Sequence, residues 1–355
     1  MLRFRSDDLV RVGIEIFTAC GAPPDEAEIV ARELVEANLM GLDSHGVIRC
    51  VEYVGKVLEG KTKPGAPVKV IKESPAMAVV DCGFNFGPVS ATRMVEIVCE
   101  KAKSTDIAFV VSKNSTHIGR LGGYVQKVAE RGMFGFAACN SSKHGHWVVP
   151  WGGKEGRLAT NPLAFAAPTS GYPVVLDMST SMISEGKVRT LMNQGKDVPE
   201  QCLLDHQGNP TTDAGRWYGP PKGTILPFGS RLGYKGFGLS LLVEILGAIM
   251  AGEASTIDAP YVNGLAIIAI NPELTCGAAR FVELMDDLCD YMTSTPPAPG
   301  FSEVVMPGTY DFKMRDRRIA EGIPLDENTW KQILEAGAKV GTKLSDKVQG
   351  VTDNV

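Results

Sequence analysis

The sequence predicts an α/β fold in which helices from both ends of the chain flank a strand-rich middle. Apolar residues near both chain ends recur with a helical period, and short apolar runs bounded by turn residues fill the centre. No predicted strand is followed by the G-x-G-x-x-G pattern of a Rossmann unit or by a P-loop pattern. We therefore expect a non-Rossmann α/β domain at residues 76–275 and a discontinuous helical domain formed by residues 1–75 and 276–355.

The N-terminal part is predicted to hold three helices, each with a recognisable start. Acidic residues mark the first start, Pro24 opens the second helix, and Ser44 caps the third, which carries His45 and Arg49. Gly41 ends the second helix, and a linker rich in proline and glycine follows the third. The predicted ranges are 6–20, 24–40 and 44–60.

The middle and the C-terminal part alternate between short apolar runs and longer amphipathic stretches. Alanine, valine and isoleucine dominate the short runs, which favours strands. Strands are predicted at 76–81, 107–112, 134–139, 163–167, 174–177 and 265–270. Helices are predicted at 87–103, 235–252, 278–292 and 326–338, with further helix starts at Glu185 and after the loop that carries His117.

Composition narrows the class of protein. The 355 residues carry a net charge of −5, which gives no sign of the basic surface that nucleic acid binding requires. No run of 18 apolar residues occurs, so we expect no membrane span. The eight cysteines form no C-x-x-C pair and are scattered along the chain, which favours free thiols in a reducing cytoplasm.

The segment around His45 and Arg49 is the most informative part of the chain. On a helix, positions four apart lie on one face, so both side chains are expected to point the same way, with Glu52 and Tyr53 one turn further on. A cation that holds a carboxylate, beside an imidazole that protonates an oxygen, is what the reduction of a 2-oxo acid requires. The alternative is a helix cap at Ser44 followed by a surface histidine and arginine.

Two loops that follow predicted strands carry further histidines. His117 lies in a polar, glycine-broken loop, where catalytic groups concentrate, although a loop histidine also bonds to its own backbone. His144 and His146 form an H-x-H pair, and with His117 they leave a metal-dependent hydrolase as a distant alternative. Because no cysteine or carboxylate lies nearby at ligand spacing, we interpret the 140–146 loop as the polar wall of a cleft.

The turn Asp177-Met178-Ser179-Thr180-Ser181 offers a third site of interest. Hydroxyls and free backbone N–H groups at a strand end can bind phosphate, and Lys187 and Arg189 would add charge. Ordinary helix capping before Glu185 is the alternative.

Taken together, these segments resemble the malate/L-lactate dehydrogenase family, the type-2 group of dehydrogenases without a Rossmann fold. The matching segments are Ser44-His45-Gly46 with Arg49, Asn114-Ser115-Thr116-His117, Pro150-Trp151-Gly152-Gly153, Thr160-Asn161-Pro162, Leu176 to Ser181, Gly186-Lys187-Val188, Pro210-Thr211-Thr212-Asp213 and Lys235-Gly236-Phe237-Gly238. They run in family order over about 300 residues. The details around His117 and Glu185 look most like the hydroxycarboxylate dehydrogenase B branch.

The resemblance implies hydride transfer between NAD(P)H and a 2-oxo or 2-hydroxy acid, with a mixed or antiparallel sheet. It implies that His45 is the proton donor and acceptor, that Asp177 supports it, and that His117 is the rival for that role. We further predict a substrate site formed by Ser44, Arg49, Tyr53 and Thr160, with Arg49 as the first candidate to hold the carboxylate. Reduction of a cyclic or N-substituted 2-imino acid in the same pocket is the close alternative.

The same resemblance implies a cofactor site for NAD or NADP and a homodimer acting on small molecules. Neither the substrate nor the preferred cofactor follows from the sequence. The implied cofactor residues are His45, Arg120, Leu121, Gly122, Asp177, Met178, Ser179, Thr180, Tyr234, Lys235, Asn263, Met306, Pro307 and Gly308.

Overall fold

The computed structural model describes residues 2–254 and 262–344, and the backbone of residues 351–352. The α-helices of this part are Ser6–Ala19 (α1), Pro24–Leu39 (α2), Arg49–Leu58 (α3), Gly87–Thr105 (α4), Gly122–Ala129 (α5), Glu185–Asn193 (α6), Ala214–Tyr218 (α7), Tyr234–Gly247 (α8), Ala278–Thr293 (α9), Thr309–Glu321 (α10) and Glu327–Lys339 (α11). The strands are Leu2–Phe4 (β1), Lys69–Glu73 (β2), Met77–Asp81 (β3), Ile107–Lys113 (β4), Phe134–Cys139 (β5), Leu163–Ala167 (β6), Val174–Met178 (β7), Leu203–Leu204 (β8), Pro210–Thr211 (β9), Thr224–Ile225 (β10), Leu265–Ile270 (β11), Ile323–Leu325 (β12) and Val351–Thr352 (β13).

The centre of the molecule is a seven-stranded sheet with the order β2-β3-β4-β11-β5-β6-β7. Strands β3 and β4 pair in parallel, whereas the other neighbours are antiparallel, so the sheet is mixed as expected. Successive side chains of a strand point to opposite faces. Ala137 accordingly belongs to the core under α4 and α5, and Ala138 belongs to the core under α8.

A second core joins the two ends of the chain. Strand β1 pairs with β12, and Phe4 and Ile16 from the N-terminal part share this core with Ile323 and Trp330. Phe312 of α10 packs into the core of the main sheet instead. Helix α10 therefore links the layer formed by the chain ends to the sheet.

A third, smaller core lies around Trp217 and holds together α6, α7 and the short sheet β10-β8-β9. Of this layer only the helix start at Glu185 was predicted from the sequence, because strands of two residues carry no detectable period. Strand β2 and helix α10 were also missed. The side chains of β2 are all exposed, so no alternation marks the strand.

The segment Tyr234–Ala251 is, by length and composition alone, apolar enough to cross a membrane, and 39% of it is buried within the structure. One such segment does not by itself identify a membrane protein, because core helices of soluble proteins can have the same length and composition. Glu244 within the segment accepts hydrogen bonds from two asparagines of the main sheet domain. All eight cysteines lie in the described part of the chain and are free thiols, as predicted.

Candidate active site

A cavity of about 660 Å³ brings together residues from all three layers. Most of the predicted site residues line it. They are Ser44, His45, Arg49, His117, Arg120, Leu121, Thr160, Asp177, Met178, Ser179 and Asn263. The loop after β5, predicted to form a polar wall, contributes Asn140, Ser141 and Gly145.

His45 lies on a 3₁₀ turn at Asp43–His45, and α3 begins only at Arg49. The prediction that one helix carries both residues was wrong, because Gly46 adopts an extended conformation between them. The two side chains still line the same cavity. Arg49 Nε donates a hydrogen bond to the carbonyl of Ser44 at 2.7 Å, which folds the guanidinium back over the turn.

His117 follows β4 and faces His45, with 5.9 Å between the ring centroids and an interplanar angle of 20°. The backbone N–H of Gly119 donates to His117 Nδ1 at 3.3 Å, and the hydroxyl of Tyr53 lies 2.9 Å from the same nitrogen. Because a backbone N–H can only donate, Nδ1 is the acceptor and the proton of the neutral ring lies on Nε2. The orientation of His117 is thus fixed by two neighbours.

Both histidines are held in the neutral form. Burial, aided by the cations of Arg49 and Arg120, lowers the pKa of His45 to about 4. Burial also lowers the pKa of His117 well below its usual value, and Arg49 and His45 add to this effect. Near pH 7 both rings are therefore uncharged.

Arg49 is the cation of this part of the cavity. Its Nη1 forms an ion pair with Glu52, and its Nε is bound by the Ser44 carbonyl. Glu52 also lines the cavity. The guanidinium is partly buried and held on two sides, which suits it to bind the planar carboxylate of a substrate.

Asp177 lies at the end of β7, where its Oδ2 accepts a hydrogen bond of 2.7 Å from the backbone N–H of Gly122. Burial raises its pKa, an effect that the cation of Arg120 opposes. The expectation that Asp177 supports His45 finds no contact in its favour, since the hydrogen-bond partner of His45 Nδ1 is Ser44 Oγ at 3.0 Å. The strand end and the Gly122 turn hold Asp177 on the sheet side of the cavity instead.

Arg120 is 6% exposed and has an incomplete set of partners. Its Nη1 donates to Gln126 Oε1 at 3.2 Å, whereas Nε and Nη2 are buried without a hydrogen-bond partner. Buried guanidinium groups are normally satisfied, so these N–H groups indicate a place where an anion or an acceptor belongs.

The turn after β7 differs from its prediction in one respect. Ser179 lines the cavity, but the hydroxyl of Thr180 is buried and donates to the carbonyls of Thr160 and Asn161. Thr180 therefore braces the turn and does not face a ligand. Ser184 caps α6 and lines the cavity, so the alternative of helix capping also holds at this turn.

Several predicted residues do not line the cavity. Tyr53 is buried behind His117, and Gly122 lies behind Asp177. Tyr234 is half exposed and packs on Trp151, and neither it nor Lys235 reaches the cavity wall. The carbonyl of Pro307 accepts from Val175 of β7 at 3.1 Å, which places the predicted segment Met306-Pro307-Gly308 beside the strand that carries Asp177.

Sequence reasoning missed two residues that hold the cavity wall from behind. Glu244 accepts from Asn140 Nδ2 at 2.9 Å and from Asn161 Nδ2 at 2.8 Å, and both asparagines line the cavity. Gln126 holds Arg120. Glu244 had a detectable signal, because it is the one acidic residue in the apolar run 236–252.

Among the residues that the structure describes, no group of three or more histidine, cysteine, aspartate or glutamate side chains could hold a metal ion. His117, His144 and His146 thus do not form the site that the hydrolase alternative requires. His117 is paired with Tyr53 and Gly119 instead.

A model of the malate/L-lactate dehydrogenase family matches residues 4–334. The chain belongs to the malate/L-lactate dehydrogenase family. This assignment confirms the resemblance inferred from the motifs, and it makes the protein a member of a family of nicotinamide-dependent hydroxy acid dehydrogenases.

Individual relatives cover nearly the whole chain. The chain is 34% identical to an L-sulfolactate dehydrogenase of Methanocaldococcus jannaschii, over 95% of this chain and 96% of that protein. It is 32% identical to hydroxycarboxylate dehydrogenase B of Escherichia coli K12, over 92% of this chain and 91% of that protein. The B branch is thus a relative, at an identity no higher than that of the sulfolactate enzyme.

Solved structures share the fold. A sulfolactate dehydrogenase from Methanocaldococcus jannaschii superposes with a TM-score of 0.88 at 32% identity, covering 98% of this chain and 99% of that chain. A delta1-piperideine-2-carboxylate reductase from Pseudomonas syringae pvar. tomato superposes with a TM-score of 0.81 at 26% identity, covering 95% of this chain and 100% of that chain.

Proposed function

We propose that this protein transfers hydride between NAD(P)H and a small 2-oxo or 2-hydroxy acid in the cavity between His45 and His117. The observation that carries the proposal is the meeting of two neutral imidazoles with one partly buried guanidinium, Arg49, in a single cavity. A carboxylate bound by Arg49 would place the adjacent C2 oxygen beside the imidazoles. The family membership supports the same chemistry.

His117 is our candidate for the group that moves the proton. Its ring is oriented by Tyr53 and Gly119, whereas His45 depends on the exposed Ser44 hydroxyl. In the oxidising direction the ring accepts the proton of the C2 hydroxyl on Nε2, which requires the other neutral tautomer, with its own proton on Nδ1, where the Tyr53 oxygen can accept it. In the reducing direction the imidazolium donates to the C2 oxygen, and the negative charge of the bound carboxylate favours the protonated form.

The residues on the sheet side of the cavity fit a nicotinamide dinucleotide. The buried, unsatisfied N–H groups of Arg120 suit its anionic groups, and Ser179 and Asn263 add polar atoms to the same wall. Gly308 packs closely on the backbone of Val175. A Cβ atom at position 308 would lie 3.0 Å from the Val175 carbonyl, so this close contact between the two backbones needs glycine. When bound, the dinucleotide would supply or accept the hydride, and we propose that it binds without a Rossmann unit.

We further propose that the protein is a cytoplasmic homodimer. Helix α9 buries none of its residues, although Leu284, Leu288 and Tyr291 are apolar and exposed. Helix α8 exposes Leu241 and Ile245. Exposed apolar patches of this kind mark interaction surfaces, so light scattering should find twice the mass of one chain.

The decisive experiment is a panel of 2-oxo acids assayed with NADH and with NADPH by loss of absorbance. The panel should include pyruvate, oxaloacetate, phenylpyruvate, a sulfonated 2-oxo acid and a cyclic 2-imino acid, with simple carboxylic acids as controls. Turnover of the imino acid alone would favour the close alternative, which the similarity to the piperideine-carboxylate reductase supports. No turnover with either cofactor would refute the proposal.

A further inference from the structure

Helix α10 carries an arginine that reaches the turn on which His45 lies. Arg318 Nη1 donates to Asp43 Oδ1 at 2.6 Å, and its Nη2 donates to Asp43 Oδ2 at 3.0 Å. Nη1 also donates to the carbonyl of Asn38. The Arg318 side chain is only 11% exposed, and the two ion-pair partners are 275 residues apart in the sequence.

The Arg318–Asp43 ion pair restrains the turn through further contacts around Asp43. Asn38 Nδ2 donates to Asp43 Oδ1 at 2.7 Å, and Asn38 Oδ1 accepts from the backbone N–H of Val47 at 2.8 Å. A Cβ atom at Gly46 would lie 2.2 Å from Asn38 Oδ1, so the chain packs directly on this amide. Asn38 thus binds the chain on both sides of His45, through the Asp43 side chain before it and the Val47 backbone after it, and Arg318 binds both Asn38 and Asp43.

The other end of α10 is anchored on the sheet. Phe312 lies in the core of the main sheet and stacks on Tyr172 at 4.4 Å, and Pro307, just before the helix, bonds to β7. A helix of 13 residues is about 20 Å long and behaves as a rigid rod. Arg318 therefore holds the turn in a fixed place relative to the strand that carries Asp177.

We propose that Arg318 is a positioning residue, which through Asp43 sets the placement of Ser44 and His45 in the cavity. Most exposed ion pairs contribute little, but this pair is bidentate, and although the Asp43 side chain is 50% exposed the Arg318 side chain is nearly buried, so the pair fixes geometry as well as charge. Ser44 supplies the carbonyl that binds Arg49, so a displaced turn would also displace the group that holds the substrate carboxylate. This inference rests on the proposed function.

The test compares Arg318→Met and Arg318→Lys with the control Arg317→Met. Arg317 is the next residue on α10, and it is 63% exposed and paired with Glu321. Because misplacement of a substrate-binding group by about 1 Å can cost about 10²-fold, we expect kcat/KM for the 2-oxo acid to fall about 10- to 100-fold in Arg318→Met. The loss should lie mainly in KM, with the Kd of NADH unchanged. Lysine should restore little, since it cannot form the bidentate pair.

Asp43→Asn tests the other half of the pair. If Arg318 acts through Asp43, the double variant Arg318→Met with Asp43→Asn should lose no more than the worse single variant. A merely structural pair would lower Tm while leaving kcat/KM at 25 °C within about twofold of the Arg317→Met control, and that result would overturn the proposal. So would a full additive loss in the double variant.

A second measurement does not need turnover. The chain has five histidines, so NMR of histidine-labelled protein can follow the His45 ring once His45→Gln has assigned its signal. We expect the signal to move in Arg318→Met and to stay in place in Arg317→Met. An unmoved signal would refute the positioning role, whereas an inactive wild type with a moved signal would refute only the proposed function.

Discussion

The two histidines of the cavity face each other but are held in different ways. His117 follows a strand of the main sheet, and both Tyr53 and Gly119 contact its Nδ1. His45 lies on a short turn, and its Nδ1 contacts the exposed hydroxyl of Ser44. One imidazole is oriented by the interior of the protein, and the other depends on a turn that α10 holds from outside.

This difference bears on which ring moves the proton. A group that transfers a proton must keep its orientation through the reaction. Buried neighbours hold it in that orientation beforehand, so nothing has to rearrange during the reaction. A group that recognises the substrate can tolerate more movement. We therefore assign proton transfer to His117 and substrate orientation to His45, which reverses the order that the family resemblance implied.

We expect the largest effect when His117→Gln is compared with His45→Gln. A positioned acid–base group typically contributes about 10²–10⁴-fold, so we expect His117→Gln to lower kcat in that range. His45→Gln should act more on the KM of the 2-oxo acid. Steady-state kinetics in both directions would measure this, and a larger loss of kcat at position 45 would reverse our assignment.

Arg49 allows the next comparison, because it lies beside both rings. Removing one partner of a partly buried charge pair costs about 2–5 kcal/mol, so Arg49→Ala should lower kcat/KM for carboxylate substrates by at least tenfold. Arg49→Lys should not rescue it, since an ammonium lacks the planar fork of a guanidinium. Arg157→Lys, at an exposed arginine outside the cavity, is the control. Lysine performing like wild type at position 49 would mean that only the charge matters.

The dependence on pH tests whether the rings are neutral. Their pKa values are lowered, that of His45 to about 4, so the protonated form is lost as the pH rises and the proton-accepting form prevails near neutrality. The kcat/KM for oxidation should be flat between about pH 6 and 8, while that for reduction should fall about tenfold per unit. Rates measured over this range provide the test. Because kcat/KM reports the free enzyme, a flat reductive profile would contradict the lowered pKa of the proton donor.

Much of this site could be predicted because local patterns carried it. Strands β5, β6 and β11 matched their predicted ranges, since short apolar runs bounded by turn residues are a local signal. Because these strands were predicted, the polar residues at their ends could also be predicted as candidates for the site. Eleven of the predicted site residues line one cavity, from Ser44 near the start of the chain to Asn263.

Most of the failures share a cause, which is that the deciding contact is distant in sequence. Nothing near Arg318 shows that it pairs with Asp43, and nothing near Tyr53 shows that its hydroxyl serves His117. Thr180 was misassigned because a hydroxyl at a strand end can face a ligand or brace a turn, and only the fold decides. The single helix predicted through His45 failed because Gly46 breaks it, a local signal that was overlooked.

The smallest expected effect comes from the partners of the two rings. Tyr53→Phe removes the hydroxyl beside His117 Nδ1 and keeps the buried ring, which packs on Phe17 and Phe86. A hydrogen bond is worth about 0.5–1.5 kcal/mol, so kcat should fall about three- to tenfold with little change in KM. Ser44→Ala removes the exposed partner of His45 and should change kcat by less than about twofold, because water can replace an exposed hydroxyl. Measuring kcat for both variants side by side compares the partner of His117 with the partner of His45, because each variant lacks one hydroxyl oxygen. Equal losses would mean that the interior partner gives His117 no advantage, and the assignment of proton transfer would then depend on the histidine variants alone.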